Sequence, residues 1–250
     1  MADFCYKIAV PTAESSLVLS RGEKEQGKEY NKNMKFPKNV IYKISTMGDG
    51  NMDFRFGDEH EVMDNRYNFF DKNKIDIHQA VCMNVINHKD NSLCVSENDF
   101  SKGVFDLESA PKVDALITDK PNTYLMLLVA DCLPVSVYDP IKKVAVLIHA
   151  SSKNTKLRIA EKTIKALIEK FFSKPENLLV ALGPSIKKES YFIDVNYENK
   201  KQLLETGVLE SNIEEDATNT YAPGKYFSHR RAEDEGKPEG RFVILLGFSK

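Results

Sequence analysis

Residues 124–150 read YLMLLVADCLPVSVYDPIKKVAVLIHA, an apolar run broken by Asp131-Cys132, a turn at Asp139-Pro140, and a second apolar run ending in His149. Alternation and β-branched content predict strands over 135–138 and 144–148, with another over 124–130 entering ahead of them. Such strands are core. Packing does not explain Asp131, Cys132 and His149, which stand at strand ends, where a side chain can face a cleft.

Further elements flank this stretch. A strand is expected over 113–118. A helix over 155–172 carries Leu157, Ala160, Ile164, Leu167, Ile168 and Phe171 on one stripe, with Pro175 just past its end. A short strand at 178–182 leads into Gly183-Pro184-Ser185, a helix at 196–205 ends before Gly207, and a last strand covers 241–246. On the N-terminal side, a strand at 40–45 is expected to pair with 52–56 through Gly48-Asp49-Gly50-Asn51. Gly57-Asp58 opens a helix over 59–70, with Val62, Arg66, Phe69 and Phe70 on one face. Residues 81–86 and 92–95 read as a second hairpin with His88 at its turn. Residues 96–111 and 21–39 read as polar loops, and 4–19 as an N-terminal hairpin. No repeat or biased linker divides the chain, so one α+β domain over 1–250 is expected.

Composition excludes several function classes. The net charge of -2 and pI near 6.3 leave no basic footprint for nucleic acid. No apolar run approaches the ~20 residues that cross a bilayer, and the first residues lack a secretory signal pattern. Cys5, Cys82, Cys94 and Cys132 show no CxxC spacing, which argues against a disulfide scaffold or zinc ribbon and for a cytoplasmic protein with reduced thiols. Nothing in the sequence fixes an oligomeric state.

Cys132 alone reads as a small buried hydrophobe, and His149 alone as an ordinary strand-end histidine. If the strands around them are neighbours, the two converge as a Cys–His nucleophile pair or as two ligands of a metal. His88, among polar residues, is the best-placed third ligand, with His78 next, and two histidines, a cysteine and a water would make an open zinc site.

Ala130-Asp131-Cys132-Leu133-Pro134-Val135, Asp139 and His149-Ala150 resemble the ADCxPV…D…HAG core of the YfiH/YlmD-type "laccase domain" or polyphenol oxidase family. Gly57-Asp58 with Asn65-Arg66, residues 113–118, Gly183-Pro184-Ser185-Ile186 and residues 226–231 resemble further family segments in the same order. The resemblance implies a four-layer α/β/β/α fold and zinc held by His88, Cys132 and His149. It implies action on purine nucleosides: phosphorolysis of adenosine, inosine or methylthioadenosine, and deamination of adenosine. Asp131 joins Cys132 and His149 as a catalytic candidate, while Arg230, Ser228, Arg66 and Lys153 are candidates for an anion or ribose site. The chain departs from the family where HAGWRG becomes residues 149–154, HASSKN. Glycine freedom is lost there, and Lys153 keeps a charge without bidentate geometry. Phe192 stands where the family has Glu.

Five histidines are too few for a blue-copper centre plus a trinuclear cluster, so multicopper oxidation is rejected. The alternatives are a metal-free Cys132–His149 hydrolase, for which His88 would be dispensable, and a nucleoside-binding protein that has lost catalysis.

Overall fold

The computed structural model describes residues 30–31, 34–87 and 92–250. Two sheets face each other. The first has four strands in the order β3 (Val40–Ile44), β12 (Phe242–Phe248), β7 (Tyr124–Val129), β4 (Ala80–Cys82). The second has six: β11 (Ile213–Glu215), β10 (Leu179–Leu182), β8 (Leu133–Asp139), β9 (Val144–Ala150), β6 (Ala115–Thr118), β5 (Ser92–Cys94). A short antiparallel pair, β1 (Tyr30–Asn31) and β2 (Met34–Pro37), lies inside the stretch expected to be a loop. The expected hairpin at 4–19 and His88 itself lie outside the described residues.

Strand alternation sorts the core into layers. Leu125, Leu127, Ile244 and Leu246 of the first sheet meet Leu116, Ala145 and Leu147 of the second. The opposite face of the first sheet, through Tyr124, Met126, Leu128 and Val243, packs on Phe69 and Phe70 of α1 (Glu59–Lys72). The outer face of the second, through Val135, Val137, Val146 and Ile148, packs on Ile164 and Leu167 of α3 (Ile159–Phe171) and Leu203 of α4 (Val195–Glu205). This is the four-layer α/β/β/α sandwich. Each fully buried aliphatic side chain contributes about 1.5–3 kcal/mol relative to exposure, so the middle layer joins the sheets strongly.

Three local expectations fail for tertiary reasons. Residues 52–56 are not a strand: Met52 is fully buried, Asp53 caps a 3-10 turn at Phe54–Phe56, and β3 pairs with β12 instead. The second expected hairpin does not exist, because β4 belongs to the first sheet and pairs parallel with β7, while β5 belongs to the second and pairs parallel with β6. The helix expected over 155–172 is split into α2 (Ser152–Lys156) and α3 at Arg158, whose φ is +60°. α4 supports the break: Gln202 Nε2 donates to the Thr155 carbonyl and Asn199 Nδ2 to Thr155 Oγ1, both at 2.8 Å. Leu157, on the predicted apolar stripe, is consequently 40% exposed.

Because β4 and β7 are parallel neighbours, their C-terminal ends lie together, and the chain leaves the first sheet for the second after each. β5, β6 and β8 all start at one end of the second sheet, where β9 finishes, since β6 and β8 both run antiparallel to β9. Asn87 and Ser92, Asp114, Asp131-Cys132 and His149 therefore meet at one end of the sandwich. Among the described residues, no helix is long and apolar enough to cross a membrane.

Candidate functional site

β8 and β9 pair with Leu133 opposite Ala150 and Pro134 opposite His149. Extending that register by one residue puts Cys132 opposite Ser151, which makes Cys132 and His149 diagonal neighbours on one face. Both point to the side between the sheets, as Pro134 and Leu147 do. The expected convergence is thus a consequence of the tight turn at 139–143, where Asp139 Oδ1 accepts the amides of Ile141 and Lys142.

His149 is 3% exposed, and its Nδ1 lies 3.5 Å from Oδ1 of Asp114, which is fully buried. Asp114 grips the same residue again through its carbonyl, which accepts the His149 amide at 2.9 Å. With Nδ1 turned to Asp114, Nε2 is left for the Cys132 thiol. Burial pushes the His149 pKa down, but the facing Cys132 sulfur and the Asp114 carboxylate outweigh it and bring it to about 9. Among the described residues, Asn87 Oδ1, Asp114 Oδ2, His149 Nδ1 and Asn154 Oδ1 are buried and find no hydrogen-bond partner. They belong to residues bonded to one another around His149.

A thiol and an imidazole side by side, the imidazole backed by a carboxylate on its other nitrogen, are a donor set that suits zinc. Cys132 and His149 fit two ligand positions. The described residues contain no cluster of three or more candidate ligands, and His88 falls outside them, although Asp114 Oδ1 accepts the amides of Ile86 and Asn87 just ahead of it.

Asp131, a catalytic candidate from the sequence, has its carboxylate engaged by three donors. Its φ is +79°, in the left-handed region that Asp tolerates better than most residues, and there the chain passes from β7 into the other sheet. Oδ1 accepts from Thr220 Oγ1 at 2.6 Å, and Oδ2 accepts from Ser228 Oγ at 3.0 Å and the Arg230 amide at 2.8 Å. The carboxylate thus positions the start of α5 (His229–Glu235) against the Cys132 turn. Ser228 is likewise committed: its hydroxyl donates to Asp131 and accepts the Arg231 amide as the helix cap.

A cleft of ≈ 260 Å³ opens beside Cys132, with Asp131, Ser151, Tyr191, His229, Arg230 and Glu233 among its walls. His149 is not part of the wall and adjoins it through Cys132. Arg230 lies 5.9 Å from the Tyr191 ring centre and 3.4 Å from Glu233, a partly exposed ion pair. Three of the four substrate candidates, Ser228, Arg66 and Lys153, are not on this wall. Arg66 is 1% exposed and spends its guanidinium on the carbonyls of Met52, Gly103 and Val104 and on the face of Phe54, so it has no free edge for an anion. Lys153 is exposed on α2 and is not among the lining residues, although Ser152 beside it is. The HASSKN departure needs no glycine: Ser151 has φ −74° and caps α2 by accepting the Asn154 amide at 3.1 Å. Phe192 is 65% exposed, with its ring against Tyr191.

Sequence reasoning gave no role to Asp114, Tyr191 or Glu233. The signal for Asp114 was a carboxylate abutting the apolar run at 115–117. Tyr191 and Glu233 gave none, being a surface aromatic and a surface acid until the fold puts them on one cleft.

The profile of the family described as multi-copper polyphenol oxidoreductase laccase matches residues 42–200 and 189–249. The purine nucleoside phosphorylase YlmD of Bacillus subtilis is 28% identical over 187 residues, 62% of this chain and 66% of that protein. A purine nucleoside phosphorylase of Clostridium acetobutylicum is 32% identical over 158 residues, 53% of this chain and 66% of that one. The chain spans just under two thirds of the length of both. The crystal structure of YfiH from Bacillus licheniformis superposes with a TM-score of 0.79 at 26% identity, covering 84% of this chain and 93% of that one.

Proposed function

This chain belongs to the family described as multi-copper polyphenol oxidoreductase laccase, and from that premise we propose that it is a zinc-dependent purine nucleoside phosphorylase acting on adenosine, inosine or methylthioadenosine. The observation that carries the reading is the Cys132–His149 pair, backed by Asp114 and opening on the cleft that Arg230 and Tyr191 share. The names of the two curated relatives supply the substrate class. The copper chemistry in the family's description is not carried over, because five histidines cannot furnish both copper centres.

His88, Cys132 and His149 would hold the zinc, and the ion would supply a Lewis acid beside the cleft. The remaining work falls to the chain's own groups. Arg230 holds phosphate: its pairing with Glu233 is partly exposed and worth about 0–1 kcal/mol, so an incoming dianion displaces the carboxylate at small cost. Tyr191 offers a ring face to the purine. Asp131, through the Arg230 amide and Ser228, keeps the start of α5 in register with Cys132. Orienting phosphate and C1′ together is itself a large part of catalysis. A phosphate oxygen bonds to C1′ as the C1′–N9 bond breaks, the electron pair of that bond leaves with the purine, and the purine takes up the proton that the hydrogen phosphate dianion loses.

The test incubates zinc-loaded protein with adenosine, inosine and methylthioadenosine, with and without phosphate, following free base, ribose 1-phosphate or its methylthio analogue, and inosine. Phosphate-dependent base release that Cys132→Ala abolishes is the expected result. Inosine formed from adenosine would add deamination. No product above the Cys132→Ala control refutes the enzymatic reading in favour of a binding protein. Base release that needs no phosphate and persists in metal-free protein and in His88→Ala points to the Cys–His hydrolase.

A further inference from the structure

We infer that Asp114 is the positioning residue of the site, fixing which nitrogen of His149 faces Cys132. This rests on the zinc reading only for its consequence in metal affinity. Asp114 touches His149 at two points, the carboxylate facing Nδ1 at 3.5 Å and the carbonyl accepting the His149 amide at 2.9 Å. Its Oδ1 also takes the amides of Ile86 and Asn87, both at 3.2 Å. One buried side chain therefore ties together β9, the start of β6 and the crossing between the two sheets.

The arrangement has a chemical consequence. A carboxylate facing one imidazole nitrogen holds the proton there and leaves the lone pair on the other. In free neutral imidazole side chains the proton prefers Nε2; in the neutral His149 ring Asp114 reverses that preference and aims the Nε2 lone pair at the Cys132 side. Among the described residues, Asp114 Oδ2 and His149 Nδ1 have no hydrogen-bond partner, and the Asp114 carboxylate is what Nδ1 faces. Asp114 is fully buried and does not line the cleft. It acts through His149 and is not itself catalytic.

The experiment compares the intact chain with Asp114→Asn, which keeps an acceptor for the two amides, with Asp114→Ala, and with Asp53→Asn as a control. Asp53 is an equally buried carboxylate that caps the turn at Phe54–Phe56. Two quantities are read: ring nitrogen-15 shifts of His149 in zinc-free protein at a pH where the ring is neutral, and zinc affinity by competition with a chelator. The expected result is Nδ1–H in the unaltered chain and in Asp53→Asn, Nε2–H in Asp114→Ala, and a mixture in Asp114→Asn. Zinc should bind about 10–100-fold more weakly in the Asp114 variants alone. An unchanged tautomer in both Asp114 variants, or the same change in Asp53→Asn, overturns the inference. If the unaltered chain binds no zinc, the zinc reading fails, while the tautomer comparison still decides the role of Asp114.

Discussion

Replacing Asp131 separates backbone strain from carboxylate function. The residue sits at φ +79° and its two oxygens receive three donors, from Thr220, Ser228 and the Arg230 amide. A hydrogen bond to a charged acceptor contributes roughly 1.5–3 kcal/mol, and orphaned buried donors carry their desolvation cost as well. Thr220 and Ser228 are 1% and 5% exposed, so water reaches them poorly. Asp131→Gly keeps the left-handed backbone and loses the acceptors, for a destabilisation of about 3–5 kcal/mol. Asp131→Ala adds the left-handed penalty of about 1–2 kcal/mol. Asp131→Asn tolerates the backbone but turns one oxygen into a donor facing the Arg230 amide, for about 1.5–3 kcal/mol. Urea unfolding with a folded-state probe gives the order Asn, Gly, Ala from mildest to most severe. Each variant that folds should also bind phosphate less well, since Arg230 loses its backbone anchor. Unfolding of Asp131→Asn within 0.5 kcal/mol of the unaltered chain, or of Asp131→Ala no worse than Asp131→Gly, would refute the reasoning.

Arg66→Ala should cost about 3–5 kcal/mol by stranding the carbonyls of Met52, Gly103 and Val104, yet leave nucleoside and phosphate affinity of the folded fraction unchanged in a binding titration. Arg230→Ala should do the reverse, raising the phosphate requirement with zinc content and melting temperature unaltered. Phe172 ends α3 at φ +54° with 76% of its surface exposed, so Phe172→Gly should stabilise by about 0.5–1 kcal/mol and raise the melting temperature by about 1–4 °C in a thermal scan. Burial pushes the Cys82 thiol from 9.0 up to about 11, so its contribution to stability is fully present below pH about 9 and fades as pH rises through about 11. Alkylation at pH 8 should accordingly label exposed Cys94 and spare Cys82 until the chain unfolds, as peptide mapping would report.

Local chemistry was legible in the chain itself. Period-2 apolar runs produced β7, β8 and β9, Asp139-Pro140 produced their turn, and that turn alone makes Cys132 and His149 diagonal neighbours. The Asp58 cap and the stripe of Val62, Phe69 and Phe70 likewise defined α1. Such features depend on residues a few positions apart, whose geometry the backbone fixes. Sheet membership does not. β4 and β5 read as a hairpin because two short apolar runs flank a polar turn, yet the parallel partners β7 and β6 claim them for different sheets, and only long-range pairing could decide that. Arg66 shows the same limit: a guanidinium on a helix face looks free for an anion until three carbonyls from segments 14 to 38 residues away close on it. The pairing of Asp114 with His149, 35 residues apart in the chain, follows from the antiparallel register of β6 against β9, a property of the assembled sheet.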